Sequence, residues 1–250
     1  LQRAGDANND NLVDVTDFGI LHATFGTDND PRADFNGDGI VDITDFGLLR
    51  GNFGQLGTRP GQDVGNQSAG SAIMELRPQG KAPTNGGTVH VGDSFTLELW
   101  VNAQAGTNVV GQQSYLTFPS GQLQLGNQKY AGPRTGSNGL LTPDSSVLDV
   151  MLQNAICNGS TSCVFNGQKV PAGSLAFASG TLSPVEGSGA FRVATVTVQA
   201  TAPGVATLHW QFSPSDPISR NTKIVADGGV TVSQPDQFVD YVVNVLPAGK

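Results

Sequence analysis

The pattern of apolar and polar positions divides the chain into two parts with different periods. Near the N-terminus apolar residues recur at helical spacing, first Phe18, Leu21 and Phe25, then Phe46, Leu49 and Phe53. Each stripe follows a run of Asp and Asn, and Gly26 and Gly54 stand where a short helix would stop. Asp14 and Asp42 are placed to cap these helices, with Asp17 and Asp45 three residues on, an acidic form of the capping box. From residue 72 onward the period becomes two. In SFTLELWVN, Phe95, Leu97, Leu99 and Val101 share one face, and Thr96, Glu98, Trp100 and Asn102 the other. QQSYLTF alternates as well. AFRVATVTVQA and VATLHWQF, joined through Pro203 and Gly204, read as a hairpin, and FVDYVVNV closes the chain. With AIMEL, TVHV, VLDVML, SLAFAS and KIVAD, about ten short strands are expected. No long helix interrupts them, so the fold class is mainly β, an antiparallel sandwich preceded by a small α domain. Trp210 alternates with Leu208 and Phe212 and belongs in the core, whereas Trp100 faces outward. Residues 55–71, QLGTRPGQDVGNQSAGS, lack apolar periodicity and read as a linker between a domain at 1–54 and one at 72–250.

Composition sharpens this picture. Only 14% of the 250 residues are charged, and 33 are Gly and 14 Pro, which suits extracellular β-structure better than a cytosolic helical protein. No apolar run approaches the roughly 18 residues of a membrane-spanning helix. The chain opens at Leu1 without a signal peptide, so a processed, secreted or cell-surface product is expected. Cys157 and Cys163 bracket a polar loop and are expected to form a local disulfide. Of the net charge of −8, residues 1–54 carry most, with ten Asp against three Arg. Such a segment repels nucleic acid and anionic membrane, so neither is an expected partner.

Those aspartates are arranged, not scattered. GDANNDNLVDVTDFGILHATFG (5–26) and ADFNGDGIVDITDFGLLRGNFG (33–54) are two copies of one unit, 28 residues apart. Oxygen-bearing side chains fall at loop positions 1, 3, 5, 9 and 12: Asp6, Asn8, Asp10, Asp14 and Asp17, then Asp34, Asn36, Asp38, Asp42 and Asp45. Leu12 and Ile40 stand at position 7, where a backbone carbonyl serves. This is the ligand spacing of a calcium loop, because a hard cation takes six to eight oxygens and a tight loop aims alternate side chains inward. Two bound calcium ions are expected. Position 6 needs a sharp turn, supplied by Gly39 in one copy and by Asn11, which tolerates a left-handed backbone, in the other.

The shared string D-x-N-x-D-x-[LI]-V-D-[VI]-T-D-F-G resembles the type I dockerin family. That resemblance implies a calcium-bound pair of loop–helix repeats that plugs into a cohesin domain. It places partner contacts at Val15, Thr16, Ile43 and Thr44, with Arg50 and His22 the nearest polar groups. The order VGDSFTLELWVNAQ, VVGQQSYLTFPSGQLQLG, GAFRVATVTVQATAPGVATLHW resembles a cohesin, a jelly-roll sandwich that binds dockerins through one sheet face. On that resemblance Gln113, Tyr115 and Thr117 point outward from the partner-contacting strand, and 127–170 is longer than a plain cohesin needs. A generic carbohydrate-binding or fibronectin-like sandwich remains the alternative for this half.

The sequence carries no G-x-S-x-G, H-E-x-x-H or P-loop, and outside the loops its acids form no pair suited to glycoside hydrolysis. A non-catalytic assembly protein is expected. A plug and a socket on one chain repeat head to tail into a polymer unless the contact closes on itself. The alternative is an adaptor, or a sugar-binding sandwich, anchored by its dockerin-like repeats to another protein's cohesin.

Overall fold

The computed structural model of the protein describes residues 3–28, 30–56, 70–126, 138–165, 168–183, 187–212, 214–215, 218–219, 221–226 and 229–249. Most of the expected linker, and residues 127–137 and 166–167 of the expected insertion, lie outside them.

Each Asp-rich loop leads into a ten-residue helix, α1 (Val15–Thr24) and α2 (Ile43–Asn52). Both start in the same way. The Asp14 carboxylate accepts the Thr16 N–H and the Asp17 carboxylate accepts the Asp14 N–H, and Asp42 and Asp45 repeat this in α2. A cap of this kind stabilises a helix by about 1 kcal/mol. Past each helix end Gly26 and Gly54 take φ near +77°, a left-handed backbone that a glycine enters without steric cost. The two units then exchange short extended segments. Gly26 donates to the Val41 carbonyl and Val41 to Thr27, while Gly54 donates to Val13 and Val13 to Gln55. Neither unit is therefore closed without the other. Between the helices the Phe18 and Phe46 rings meet edge to face, 6.4 Å between centroids.

The strands, in chain order, are β1 Ala72–Gln79, β2 Thr88–His90, β3 Ser94–Ala103, β4 Val109–Thr117, β5 Leu123–Leu125, β6 Asn138–Gly139, β7 Thr142–Pro143, β8 Val150–Cys157 and β9 Cys163–Phe165. They continue as β10 Gln168–Val170, β11 Ser174–Gly180, β12 Ala190–Ala200, β13 Gly204–Trp210, β14 Pro214–Ser215, β15 Ile218–Ser219, β16 Lys223–Ala226 and β17 Tyr241–Leu246. One sheet runs β1-β3-β12-β5, with β7 also on β12. The other runs β2-β17-β13-β4-β11-β8-β6, with β16 lying beside β4 end to end with β13. The mainly β two-sheet architecture with two short N-terminal helices is thus present. β2 is a departure from the antiparallel expectation, since it lies parallel to β17.

The faces of Phe95, Leu97, Leu99 and Val101, and of Val196 and Val198, meet Leu116, Phe177, Trp210, Tyr241 and Val243 between the sheets. Trp210 is buried as expected, its indole N–H held by the Val239 carbonyl. Trp100 lies half-buried on the outer face, with the Arg77 guanidinium 4.3 Å above its ring. The expected hairpin between AFRVATVTVQA and VATLHWQF does not form. β12 has β3 along one edge and β5 and β7 along the other, so β13 crosses to the second sheet and pairs with β17. Cys157 and Cys163 are joined, tying the end of β8 to the start of β9.

A second apolar cluster lies outside the sandwich. Val13, Leu21, Phe25, Ile43, Phe46 and Leu49 of the helical unit pack with Val110, Leu152, Ala178 and Val225 of the second sheet. The molecule therefore has three layers, sheet on sheet on helical pair. β4 and β11, in the middle layer, are buried on both faces.

Candidate functional site: the seat of the second helix

The site is where α2 lies on the outer face of β4, β11 and β16. Its floor is made of glycines. A Cβ on Gly111 of β4 would come within 2.8 Å of Ile43 Cδ1, and one on Gly180 of β11 would collide with the Phe46 ring. The helix reciprocates at Gly47, where a Cβ would stand 2.6 Å from the Gly229 Cα. Ile43, Phe46 and Leu49 are fully buried. Burying a side chain of this size contributes about 1.5–3 kcal/mol. Gly47 lets the helix approach the Gly229 backbone although glycine inside a helix costs about 1 kcal/mol, whereas its counterpart Gly19 in α1 meets no such neighbour.

Polar groups fix the register at both ends of the helix. At its start Gln113 Oε1 accepts the Ile43 N–H at 3.1 Å, and Gln113 Nε2 donates to the Asn221 carbonyl at 2.7 Å. One glutamine side chain thus ties β4 both to α2 and to the segment before β16. Lys223 Nζ reaches Asp42 Oδ2 at 2.6 Å. In the last turn Arg50 donates to the Thr181 carbonyl (3.0 Å) and the Ser183 carbonyl (2.9 Å), just past the end of β11.

The residues named from the sequence fall in different places. Ile43 and Thr44 lie at the seat, Thr44 Oγ1 standing 3.5 Å from Lys223 Nζ. Val15, 69% exposed, and Thr16 lie on α1 away from the sandwich, and so does His22. Gln113, Tyr115 and Thr117 share the outer face of β4, but Gln113 and Tyr115 are buried. The Tyr115 hydroxyl donates to Gln153 on β8, and Thr117 stands at the far end of β4, opposite Ser174 and His209. The floor glycines, Lys223 and the Thr181 and Ser183 carbonyls were not singled out. A signal existed for the glycines, since Gly111 and Gly180 sit at outward strand positions where a solvated face carries polar side chains.

The two Asp-rich loops turn alike. Asn9 and Asn11 have φ of 64° and 69°, and Gly37 and Gly39, at the same loop positions, 73° and 88°. Asp6 accepts the Asp10 and Asn11 N–H groups, and Asp34 those of Asp38 and Gly39. Asp17 Oδ1 accepts from Ala7 and Asn8, and Asp45 Oδ1 from Phe35 and Asn36. Asn8 and Asn36 donate to Asp10 and Asp38. Leu12 and Ile40 lie in short bridges to Leu56 and Asp28. No three His, Cys, Asp or Glu side chains among the described residues stand as a ready cage for a metal. Burial pushes the Asp45 carboxyl up to about 7, with the neighbouring Asp42 charge adding to the rise against the backbone N–H groups that lower it. The donor set is all oxygen, four carboxylates and an amide in each loop, and its charge calls for a hard divalent cation. In residue type this donor set is one that calcium takes, and Leu12 and Ile40 stand at the position where a backbone carbonyl is expected to serve.

No protein-family model matches the sequence, and no curated protein matches it. Solved structures do. A type II cohesin domain from the cellulosome of Acetivibrio cellulolyticus is 16% identical with a TM-score of 0.48, over 70% of this chain and 95% of that one. A non-cellulosomal cohesin from the archaeon Archaeoglobus fulgidus is 12% identical with a TM-score of 0.41, over 72% and 92%. A type I cohesin–dockerin complex from Clostridium thermocellum is 8% identical with a TM-score of 0.43, over 71% and 94%.

Proposed function

We infer that the protein is a non-catalytic, extracellular assembly protein whose N-terminal helical pair is a plug and whose sandwich is the matching socket. The observation that carries this reading is the seat of α2. A glycine floor shaped to one helix, with Gln113, Lys223 and the carbonyls beyond β11 at its ends, is more than a solvated sheet face needs. Within one chain the plug fills its own socket. The same contact made between chains gives a head-to-tail polymer, as a swapped element does whenever its hinge allows exchange. Calcium in the two loops, held by Asp6, Asn8, Asp10, Leu12, Asp14 and Asp17 and by Asp34, Asn36, Asp38, Ile40, Asp42 and Asp45, would keep the helical pair folded as a unit, and the ion in the first loop would order the plug before docking and so lower the entropic cost of the contact.

Electron microscopy over a concentration series, in calcium and in chelator, tests this. Filaments or rings that lengthen with protein concentration in calcium, and disappear in chelator, are the expected result. Single particles of one chain at every concentration in both buffers contradict assembly by exchange.

A further inference from the structure

Asp42 belongs to the second loop and to the seat at once. It stands at loop position 9, and its Oδ1 accepts the Thr44 N–H at 2.7 Å where α2 begins. Its Oδ2 faces the sandwich, with Lys223 Nζ at 2.6 Å and Gln113 Nε2 at 3.5 Å. The Asp42 side chain is 3% exposed and that of Lys223 19%, so water screens the pair weakly. The Asp42 N–H is also held by Asp45 Oδ2, which ties loop position 12 to the same point.

The first loop lacks this arrangement. Asp14 occupies the same position and its Oδ1 caps α1 through the Thr16 N–H at 2.7 Å. Among the described residues no cation stands against Asp14, and Val15 and Thr16 beside it are exposed. Two loops with the same ligand types thus differ in the cation beside them: the second has an ammonium supplied by β16, 181 residues along the chain.

We propose that Lys223 is a counter-cation lent by the sandwich to the second loop, making that loop the weaker calcium site for as long as α2 is seated. An ammonium that already neutralises one carboxylate leaves less negative charge for a divalent ion and repels it directly. At a few ångströms, in the effective dielectric of a protein surface, this interaction is large enough to weaken calcium binding about tenfold. Linkage requires the reverse effect: calcium in the second loop weakens the seat by the same factor, whereas calcium in the first loop does not. The first ion is then structural, holding the helical pair together, and the second loosens α2 for exchange. The inference rests on the calcium reading of the loops.

The test is calcium titration of the full-length chain by calorimetry with a competing chelator. Wild-type protein should show two sites, the weaker lost in Asp34→Ala and the tighter in Asp6→Ala. Lys223→Met keeps the aliphatic stem, and Lys223→Gln removes the charge with a different side chain. Both should tighten the weaker site about tenfold and leave the tighter one unchanged. Lys223→Arg should behave as wild type. Two sites that ignore Lys223→Met and Lys223→Gln, or a weaker site that maps to the first loop, overturn this proposal alone. A chain that binds no calcium overturns it together with the calcium reading.

Discussion

At the scale of single residues, the outer face of the first sheet shows how charge is held where no layer covers it. Arg192 on β12 donates to Glu98 of β3 at 2.8 Å and to Asp144 at 2.9 Å. Burial alone would raise the Glu98 carboxyl, but the Trp100 N–H and Arg192 outweigh it and hold it below its ordinary value. Asp144 behaves alike, with burial outweighed by Ser146 and Arg192. Carboxyls depressed in the folded state contribute stability that is present above their unfolded pKa of about 4 and lost as pH falls through the folded value. Arg192→Met should therefore lower the melting temperature of the sandwich at pH 7, and the gap from wild type should narrow as pH falls from 6 to 3. A gap that stays constant over that range would remove Arg192 from the account. Several of these residues were legible beforehand as one strand face, because Glu98, Trp100 and Asn102 alternate with the core positions of SFTLELWVN. Their partners were not, because β1 and β12 reach β3 from other parts of the chain.

At the scale of elements, the helices and most strands could be read from sequence because each carries its own instructions. α1 and α2 are bounded by their Asp caps and their terminal glycines. β3 is set by alternation, and the bounds of β12 coincide with AFRVATVTVQA. Alternation fails as a guide in the middle layer. β11 (SLAFASG) carries no charged or amide side chain and β4 carries Gln112, Gln113 and Ser114 at its centre, yet both are covered on two sides. Gln112 and Ser114 point into the sandwich and satisfy each other and Ser179 there, while Gln113 is satisfied by α2 and Asn221. A buried polar strand looks like a solvated one in sequence because the difference lies in its partners. The two helices, which share Thr-Asp-Phe-Gly and a following leucine, also end in different environments. Ile43→Asp should weaken the seat at least about a hundredfold, since a charge would replace a buried side chain. Val15→Asp should change it by less than about twofold, because Val15 is exposed and exposed sites tolerate substitution. Hydrogen exchange along α2 reads both, and equal effects of the two substitutions would show that α1 shares the seat.

At the scale of the whole molecule, the central claim is that one helix of the plug and one face of the socket recognise each other whether or not they belong to the same chain. The single chain does not distinguish these cases, but two complementary variants do. Gly180→Lys places a long charged side chain where Phe46 must lie, so that chain keeps its plug and loses its socket. Ile43→Asp spoils the plug and leaves the socket free. Gly180 meets Phe46 and Ile43 meets Gly111 across the seat, so each substitution acts at the contact, and circular dichroism of each variant checks that it remains folded. The direct measurement is light scattering of the two full-length variants, alone and mixed in equal amounts, in calcium buffer. Each variant alone should run as a monomer with an empty socket, and the mixture should give one-to-one pairs through the single intact plug and the single intact socket. A mixture that contains only monomers at high micromolar concentration would contradict the claim.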